Sequence, residues 1–193
     1  TIFADECYSE IYRDEAPPGA LEALNNIKAN PERLVVFHSL SKRSNLPGLR
    51  SGFLATGPEN LKRLSQLKSY GGAPLPKPLQ YAAAAGWSDE EHGKENRKLD
   101  AAKYKLADDI LSGLDGYSSP EAGFFLWLKV QDSEKTTLDL WRETGVRVLP
   151  GAYLAQEKNG RNPGQNFIRV ALVAQQNVTV EALTKIRSFL DKQ

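Results

Sequence analysis

The sequence contains no methionine, a single cysteine and no long apolar run. Because Cys7 has no second cysteine to pair with, a disulfide within the chain is excluded, which favours a reducing compartment. Apolar runs such as residues 124–128 fall far short of the roughly 18 residues that a membrane span requires. We therefore expect a cytoplasmic protein without a membrane segment.

An excess of charge of one sign is also lacking. The chain carries 25 basic and 24 acidic side chains, which give a formal net charge of +1. Proteins that bind nucleic acid through its phosphates need a strongly basic surface, so this balance argues against a nucleic-acid partner. We predict no metal site.

The 193 residues are enough for one or two domains. The first residue, Thr1, already belongs to an apolar run, residues 1–4. Together with the lack of methionine, this start leads us to expect that the chain is the C-terminal part of a larger polypeptide.

Apolar runs and helical periodicity alternate along the chain. Strands are predicted at 1–4, 34–38, 52–57, 124–130, 146–149 and 167–172, and helices at 21–27, after Pro58, at 138–144 and at 179–190. Such interleaving indicates an α/β or α+β fold. The glycine- and proline-rich stretch 71–78 predicts a domain boundary, with one domain at 1–76 and a second at 77–193.

A further long helix is predicted after residue 88. Ser88 and Glu91 have the spacing of a capping box, in which Ser88 is the N-cap. The helix would bury one apolar stripe, made of Leu99, Ala102, Leu106, Ile110 and Leu114. Trp127 and Trp141 are interpreted as core residues.

Lys42 lies in a hydroxyl-rich loop directly after a predicted buried strand. A lysine in a loop is most often simply solvated, but Asp5, Ser39 and Arg50 accompany this one. Pyridoxal phosphate needs a lysine to hold it as a Schiff base and an acid to keep its ring nitrogen protonated. Its phosphate needs hydrogen-bond donors, among which an arginine fork is well suited.

Five segments, in order, resemble the fold-type I aminotransferases of class I/II. Residues 39–52 (SLSKRSNLPGLRSG) resemble the lysine signature of that family, and residues 5–12 (DECYSEIY) resemble the segment that precedes it. Residues 123–127 (GFFLW) and 148–151 (VLPG) resemble strands of the small domain, and residues 167–171 (FIRVA) the strand with the substrate arginine. The resemblance implies the C-terminal part of a large pyridoxal-phosphate domain followed by a small α+β domain.

The resemblance also implies a role for each matching residue. Lys42 would be the catalytic lysine that holds the cofactor and moves protons. Asp5 would pair with the ring nitrogen, and Tyr8 would hydrogen-bond the phenolic oxygen of the cofactor. Ser39 and Arg50 would hold its phosphate.

Substrate and subunit contacts follow from the same resemblance. Arg169 would bind the α-carboxylate of the amino-acid substrate. The family implies a homodimer, in which residues 70–73 face the active site of the partner. The family's phosphate turn and the aromatic residue that stacks on the ring lie upstream of the matching segments, so we expect this chain alone to be a weakly active or inactive part of the enzyme.

Within the family, residues 5–12 and 39–50 look most like bacterial succinyldiaminopimelate transaminases. Those enzymes act in lysine biosynthesis with glutamate as amino donor. Aspartate or another amino acid remains an alternative substrate.

Two other functions stay open from the residues alone. Serine β-lactamases also use a Ser-x-x-Lys spacing, which Ser39 and Lys42 have, but the Ser-Asp-Asn and Lys-Thr-Gly sequences that they need are absent. The second alternative is an inactive fragment or a non-enzymatic module.

Overall fold

The structure is a computed structural model that describes residues 1–72 and 74–192. It divides into two compact units, Thr1–Lys98 and Leu99–Gln193, and the division along the chain falls within a helix, Glu91–Leu111. The division into 1–76 and 77–193 stays a prediction about the domains of the whole protein. Ala73, which belongs to the segment expected to face a partner subunit, lies outside the described residues.

The first unit contains a three-stranded sheet. Its strands β1 (Ile2–Asp5), β2 (Leu34–Ser39) and β3 (Gly52–Thr56) lie in the order β1-β2-β3. The β1 and β2 strands are parallel, with Asp5 opposite Phe37, whereas β3 is antiparallel to β2. Because β1 and β2 are parallel, their carboxyl ends lie at the same edge of the sheet.

Among the described residues of this unit, the α-helices that begin are α1 (Ala20–Asn26), α2 (Leu40–Arg43), α3 (Pro58–Gly71), α4 (Lys77–Ser88) and α5 (Glu91–Leu111). Pro58 occupies the first turn of α3, as predicted, where its missing N–H costs no hydrogen bond. The predicted cap of α5 is wrong. Ser88 still belongs to α4, and the carboxylate of Asp89 instead accepts the backbone N–H of Glu91 at 2.9 Å.

The second unit has its own antiparallel sheet and its own core. The strands β4 (Phe125–Lys129), β5 (Leu149–Pro150) and β6 (Phe167–Ala171) lie in the order β4-β6-β5, with α6 (Ser133–Thr144) and α7 (Gln176–Leu190). The β5 strand begins three residues later than predicted, at Leu149, and it ends at Pro150, because Pro150 cannot donate to a strand ladder and Gly151 begins a 3-10 turn. Fully buried core residues include Leu126, Leu128, Leu140, Ile168, Leu183 and Ile186.

The buried stripe of α5 differs from the predicted one. Tyr104, Ala107 and Leu111 are buried, whereas Leu99 is 49% exposed. The two tryptophans expected in the core are also largely exposed, Trp127 by 40% and Trp141 by 48%. Trp127 alternates with the buried Leu126 and Leu128 on β4, so it points to the opposite face of the sheet.

The glycine of the VLPG segment is required by a close approach of two backbones. A Cβ atom at Gly151 would lie 2.5 Å from the carbonyl oxygen of Gly164 and 2.6 Å from that of Phe167. Real Cβ atoms do not approach backbone atoms so closely, so a side chain at Gly151 would push the turn after β5 away from the segment that leads into β6.

Candidate active site

The candidate site lies at the carboxyl edge of β1 and β2. Asp5 is the last residue of β1, and the chain stays beside β2 for one more residue, since the N–H of Glu6 donates to the carbonyl of Phe37 at 2.9 Å. Ser39 ends β2, and the single-turn helix α2 carries Lys42 directly after it. The fold thus brings together two segments that lie more than thirty residues apart in the sequence.

Asp5 and Cys7 form a hydrogen-bonded turn at this edge. The backbone N–H of Cys7 donates to Oδ1 of Asp5 at 3.1 Å. Hydrogen bonds from the thiol and the backbone of Cys7 lower the pKa of Asp5, against a smaller opposing effect of burial. Asp5 is therefore a carboxylate at neutral pH and can accept a proton-bearing ring nitrogen.

The pKa of the Cys7 thiol is shifted upwards, opposite to that of Asp5. Burial, with the hydrogen bond to Asp5 and the charge of that carboxylate, raises the pKa of Cys7 to about 11, while the positive charge of Lys42 acts against this. Cys7 is thus a neutral thiol that lies within the electrostatic reach of both Asp5 and Lys42.

Lys42 and Tyr8 lie side by side. The Nζ atom of Lys42 is 5.7 Å from the centroid of the Tyr8 ring, and Lys42 is half-buried. Lys42 thus lies near Tyr8 and within the electrostatic reach of Cys7, which is hydrogen-bonded to Asp5, so a carboxylate, a phenol and an amine occur in one region.

Ser39 and Arg50 lie at the two ends of the loop that carries Lys42. Ser39 is the N-cap of α2, where its hydroxyl accepts the N–H of Ser41 at 3.1 Å and lies 3.3 Å from the carbonyl of Ser51. Arg50 is exposed, has a left-handed backbone with φ of 54°, and donates to the carbonyl of Pro47 at 3.0 Å. The contact between Ser39 and Ser51 closes the loop, so Arg50 returns to the region of Ser39.

Arg169 belongs to the second unit and is described there by itself. It lies on β6 opposite Trp127 of β4 and Leu149 of β5. Its guanidinium carbon is 4.2 Å from the centroid of the Phe125 ring. This is a cation–π contact, and the planar guanidinium of an arginine can bind a carboxylate through two hydrogen bonds.

Several residues near the site have no individual signal in the sequence. Glu6 lies 3.3 Å from Nε2 of His38 and also accepts the N–H of Ala20 at 2.6 Å. The ring of His38 stacks on that of Phe53 at 5.1 Å. Through these contacts His38 and Glu6 support the end of β2 beside the site, and the buried Arg43, described below, is a further supporting residue.

The donor set fits pyridoxal phosphate. An acid with a lowered pKa, a phenol and an amine occur together at the sheet edge, and a hydroxyl and a guanidinium flank the loop beside them.

Among residues 1–72 and 74–192, no cluster of histidine, cysteine and carboxylate side chains could hold a metal ion. Within the same described residues, no helix is long and apolar enough to cross a membrane.

Comparison with known proteins identifies the family to which the chain belongs. The family model for aminotransferase class I and II matches residues 1–186. The chain is 30% identical over 172 residues to 4-dedimethylamino-4-oxo-anhydrotetracycline transaminase OxyQ of Streptomyces rimosus, which covers 88% of the chain and 46% of that protein. It is 31% identical over 198 residues to LL-diaminopimelate aminotransferase of Natranaerobius thermophilus, covering 96% of the chain and 47% of that protein.

The solved structures that resemble this chain are also aminotransferases. An aminotransferase from Neisseria meningitidis Z2491 matches with a TM-score of 0.93 and 40% identity, covering 97% of this chain and 49% of that one. Aminotransferase AspB from Helicobacter pylori 26695 matches with a TM-score of 0.89 and 32% identity, covering 99% of this chain and 50% of that one. The chain thus spans about half the length of the relatives it matches. The predicted fold is confirmed, and the chain belongs to the class I and II aminotransferases, a pyridoxal-phosphate-dependent family.

Proposed function

We propose that the protein containing this chain is an aminotransferase that moves an amino group between an amino acid and a 2-oxo acid. The observation that carries the proposal is the grouping of Asp5, Tyr8 and Lys42 at the carboxyl edge of two parallel strands. The cofactor, when bound, supplies an electron sink for the carbanion that transamination requires. The remaining tasks belong to side chains of the protein.

Each proposed role follows from the chemistry of the side chain. Lys42 provides the amine that holds the cofactor and then carries a proton to and from the substrate carbon. Asp5 holds the proton on the ring nitrogen, which its lowered pKa supports. Tyr8 donates to the phenolic oxygen, and Ser39 and Arg50 bind the phosphate.

Arg169 is proposed to bind the α-carboxylate of the substrate. Its contact with the Phe125 ring supports this role, because a guanidinium whose freedom is already restricted loses less freedom when it forms two parallel hydrogen bonds. Binding by the carboxylate also presents the α-carbon in one orientation to the base.

For the substrate, we favour an amino acid of the diaminopimelate type, with succinyldiaminopimelate and glutamate as the pair. The similarity to LL-diaminopimelate aminotransferases supports a role in lysine biosynthesis. Aspartate or another amino acid is the alternative. A homodimer and a cytoplasmic location complete the proposal, the latter supported by the single cysteine.

The proposal is tested by locating the cofactor in the whole protein. The protein is incubated with pyridoxal phosphate, reduced with borohydride and digested, and the modified lysine is identified by mass spectrometry. We expect the adduct on Lys42, and its loss in Lys42→Ala but not in Lys62→Ala, which changes an exposed residue of α3. An adduct on another lysine, or no adduct, would contradict the proposed site.

Amino-group transfer is measured in the same preparation. The protein is supplied with glutamate and a panel of 2-oxo acids, and product amino acids are quantified. Transfer to the succinylated diaminopimelate precursor above all others would support the favoured substrate. Preference for oxaloacetate would instead support an aspartate aminotransferase.

A further inference from the structure

The residue next to Lys42 is buried, although it is charged. Arg43 is only 6% exposed, whereas Lys42 itself is half-buried. Burying a guanidinium is unfavourable unless its donors are satisfied, so a buried arginine must have well-placed partners. The partners of Arg43 all lie in the first unit.

The guanidinium of Arg43 binds the end of α4. Its Nη1 atom donates to the carbonyl of Gly86 at 2.9 Å, and its Nη2 atom donates to the carbonyl of Asp89 at 3.3 Å. Both carbonyls lie at the C-terminal end of the helix, where they have no partner within the helix and where the helix dipole favours a cation. The guanidinium carbon also lies 5.5 Å from the centroid of the Trp87 ring.

Two carboxylates neutralise the same side chain. Oε1 of Glu90 accepts from Nη2 at 2.5 Å, and Oε1 of Glu10 lies 4.0 Å from Nε. Glu10 follows Tyr8 by two residues, and its other oxygen pairs with Arg97 of α5 at 3.0 Å. The backbone carbonyl of Arg43 lies 3.4 Å from the side-chain amide of Asn96, also on α5.

These contacts connect both halves of the candidate site to the same support. Helix α2 is a single turn of four residues, too short to be stable by itself. Leu40, the first residue of α2, is fully buried. Arg43, the last residue of α2, contacts α4 through its guanidinium and α5 through its backbone carbonyl. Its ion pair with Glu10 connects it to the segment that carries Tyr8. The position of Lys42 therefore depends on where Arg43 is held.

Given the proposed function on which this inference rests, we propose that Arg43 is a positioning residue for Lys42. It touches neither substrate nor cofactor. It fixes the turn of α2 relative to Asp5 and Tyr8, so that the amine of Lys42 is held at the place where it acts. Losing this support leaves Lys42 in the site but in a wider range of positions.

The matched pair of variants is Arg43→Met and Arg97→Met in the whole protein. Both remove one guanidinium from the same network, and both lose a partner of Glu10 and a contact with an aromatic ring, since Arg97 lies 5.1 Å from the ring of Tyr12. Only Arg43 belongs to α2. Arg43→Lys keeps the positive charge but cannot bind both carbonyls at the end of α4, so it separates the effect of the charge from that of the two guanidinium hydrogen bonds.

The first measurement needs neither cofactor nor turnover. The cofactor-free protein is treated with acetic anhydride over a range of pH, and the labelling rate of Lys42 is measured by mass spectrometry relative to that of the exposed Lys62. We expect Arg43→Met to raise the relative rate of Lys42 several-fold and to change its pH profile. Arg97→Met should leave both unchanged, and Arg43→Lys should lie between Arg43→Met and the unmodified protein.

The second measurement uses the loaded enzyme. We expect Arg43→Met to shift the pH titration of the cofactor's visible absorbance and to lower kcat by roughly 10- to 100-fold with little change in KM, the scale of a misplaced catalytic group. If Arg43→Met fails to fold, the variant Glu90→Gln removes the carboxylate of an exposed partner and leaves Arg43 in place. It should change the labelling rate, the absorbance titration and kcat in the same direction but by less.

A lower melting temperature together with an unchanged labelling profile and an unchanged absorbance titration would overturn the inference, because Arg43 would then only stabilise the fold. Effects of Arg97→Met equal to those of Arg43→Met would overturn it as well, since the support would then not act through α2. Failure of the proposed function is distinguishable, because the unmodified protein would then bind no cofactor at Lys42.

Discussion

Asp5 and Cys7 share one turn, and each changes the ionisation of the other. The hydrogen bonds from Cys7 lower the pKa of Asp5, while burial and the Asp5 carboxylate raise the pKa of Cys7 to about 11. The proton therefore stays on sulfur, and the carboxylate remains charged across the neutral range. A negative charge is thus maintained at the end of β1, as the proposed role of Asp5 requires.

The first prediction at the residue scale concerns the reactivity of Cys7. Only the thiolate reacts, and a rise from the ordinary value of 9.0 to about 11 lowers its thiolate fraction at pH 8 roughly 100-fold. We expect alkylation by iodoacetamide to be slow at pH 8 and to accelerate up to about pH 11. The rate is followed by mass spectrometry of the peptide that contains Cys7.

The sign of the linked stability follows from the same shift. A raised pKa means that the folded state holds the thiol proton more tightly than the unfolded state. The contribution of the Cys7 thiol to the free energy of unfolding is therefore fully present below pH 9.0 and is lost as the pH rises through about 11.

The control variants for the alkylation experiment are Asp5→Asn and Glu22→Gln. Asp5→Asn removes the charged acceptor beside the thiol and should speed alkylation of Cys7 at pH 8, whereas Glu22→Gln on α1 should not. Rapid alkylation of the unmodified protein at pH 8 would refute the shift.

The second prediction at this scale concerns Asp5 in the whole enzyme. Asp5→Asn keeps an oxygen that can accept the N–H of Cys7, so the turn is preserved and the cofactor remains bound. A neutral amide cannot hold the proton on the ring nitrogen, and we expect kcat to fall roughly 100- to 1,000-fold, the scale of losing one stabilising group in a transition state. Stopped-flow half-reactions measure this directly. Near-normal turnover would show that Asp5 serves only the structure.

At the scale of single elements, the end of α6 tests the cost of a left-handed backbone separately from side-chain packing. Gly145 is the C-cap of this helix, with φ of 75°, and a Cβ atom there would meet nothing within 4 Å. Gly145→Ala should therefore destabilise the second unit by roughly 1–2 kcal/mol through backbone strain alone. Denaturant unfolding followed by tryptophan fluorescence reports it, since Trp141 lies on the same helix.

Asparagine provides the matched comparison. It tolerates the left-handed conformation better than alanine, so Gly145→Asn should cost less, although its side chain is larger. A larger loss for Gly145→Asn than for Gly145→Ala would mean that side-chain size rather than backbone conformation determines the cost.

Local patterns predicted most elements because their signals are local. Apolar runs predicted β1 and β2, Pro58 predicted the start of α3, and the helix predicted at 138–144 ends at the same residue as α6, Thr144. The errors arise where tertiary packing decides. Leu99 has helical spacing relative to its apolar neighbours, yet only the residues from Tyr104 onward on the buried face of α5 meet the core of the second unit.

The candidate site was predictable to a similar extent. Asp5 and Ser39 end their strands and Lys42 follows Ser39 closely, and parallel pairing brings the carboxyl ends of β1 and β2 to one edge, so their proximity could be expected. Arg43 could not be found in this way, because the sequence carries no sign that a charged residue beside Lys42 would be buried. Its partners, Gly86 and Glu90, lie more than forty residues away and are brought near only by the packing of α4.

At the scale of the whole molecule, the chain consists of two units with separate sheets and separate cores. Asp5, Tyr8, Ser39, Lys42 and Arg50 all belong to the first unit, and Arg169 to the second. The proposed cofactor residues are thus carried by one unit, and the proposed substrate residue by the other. A cofactor titration consequently tests the first unit, whereas the KM for an amino acid also tests the second.

The last prediction compares this chain with the whole protein. The chain spans about half the length of its relatives, and the resemblance places the phosphate turn and the stacking aromatic upstream of β1. Losing two hydrogen bonds to a charged phosphate, each worth about 1.5–3 kcal/mol, corresponds to a cofactor affinity lower by roughly 100- to 20,000-fold. We therefore expect the chain alone to bind pyridoxal phosphate weakly and to transfer no measurable amount of amino groups. Titrations of both proteins, followed by visible absorbance, test this; equal affinity would mean that Lys42, Ser39 and Arg50 suffice to hold the cofactor.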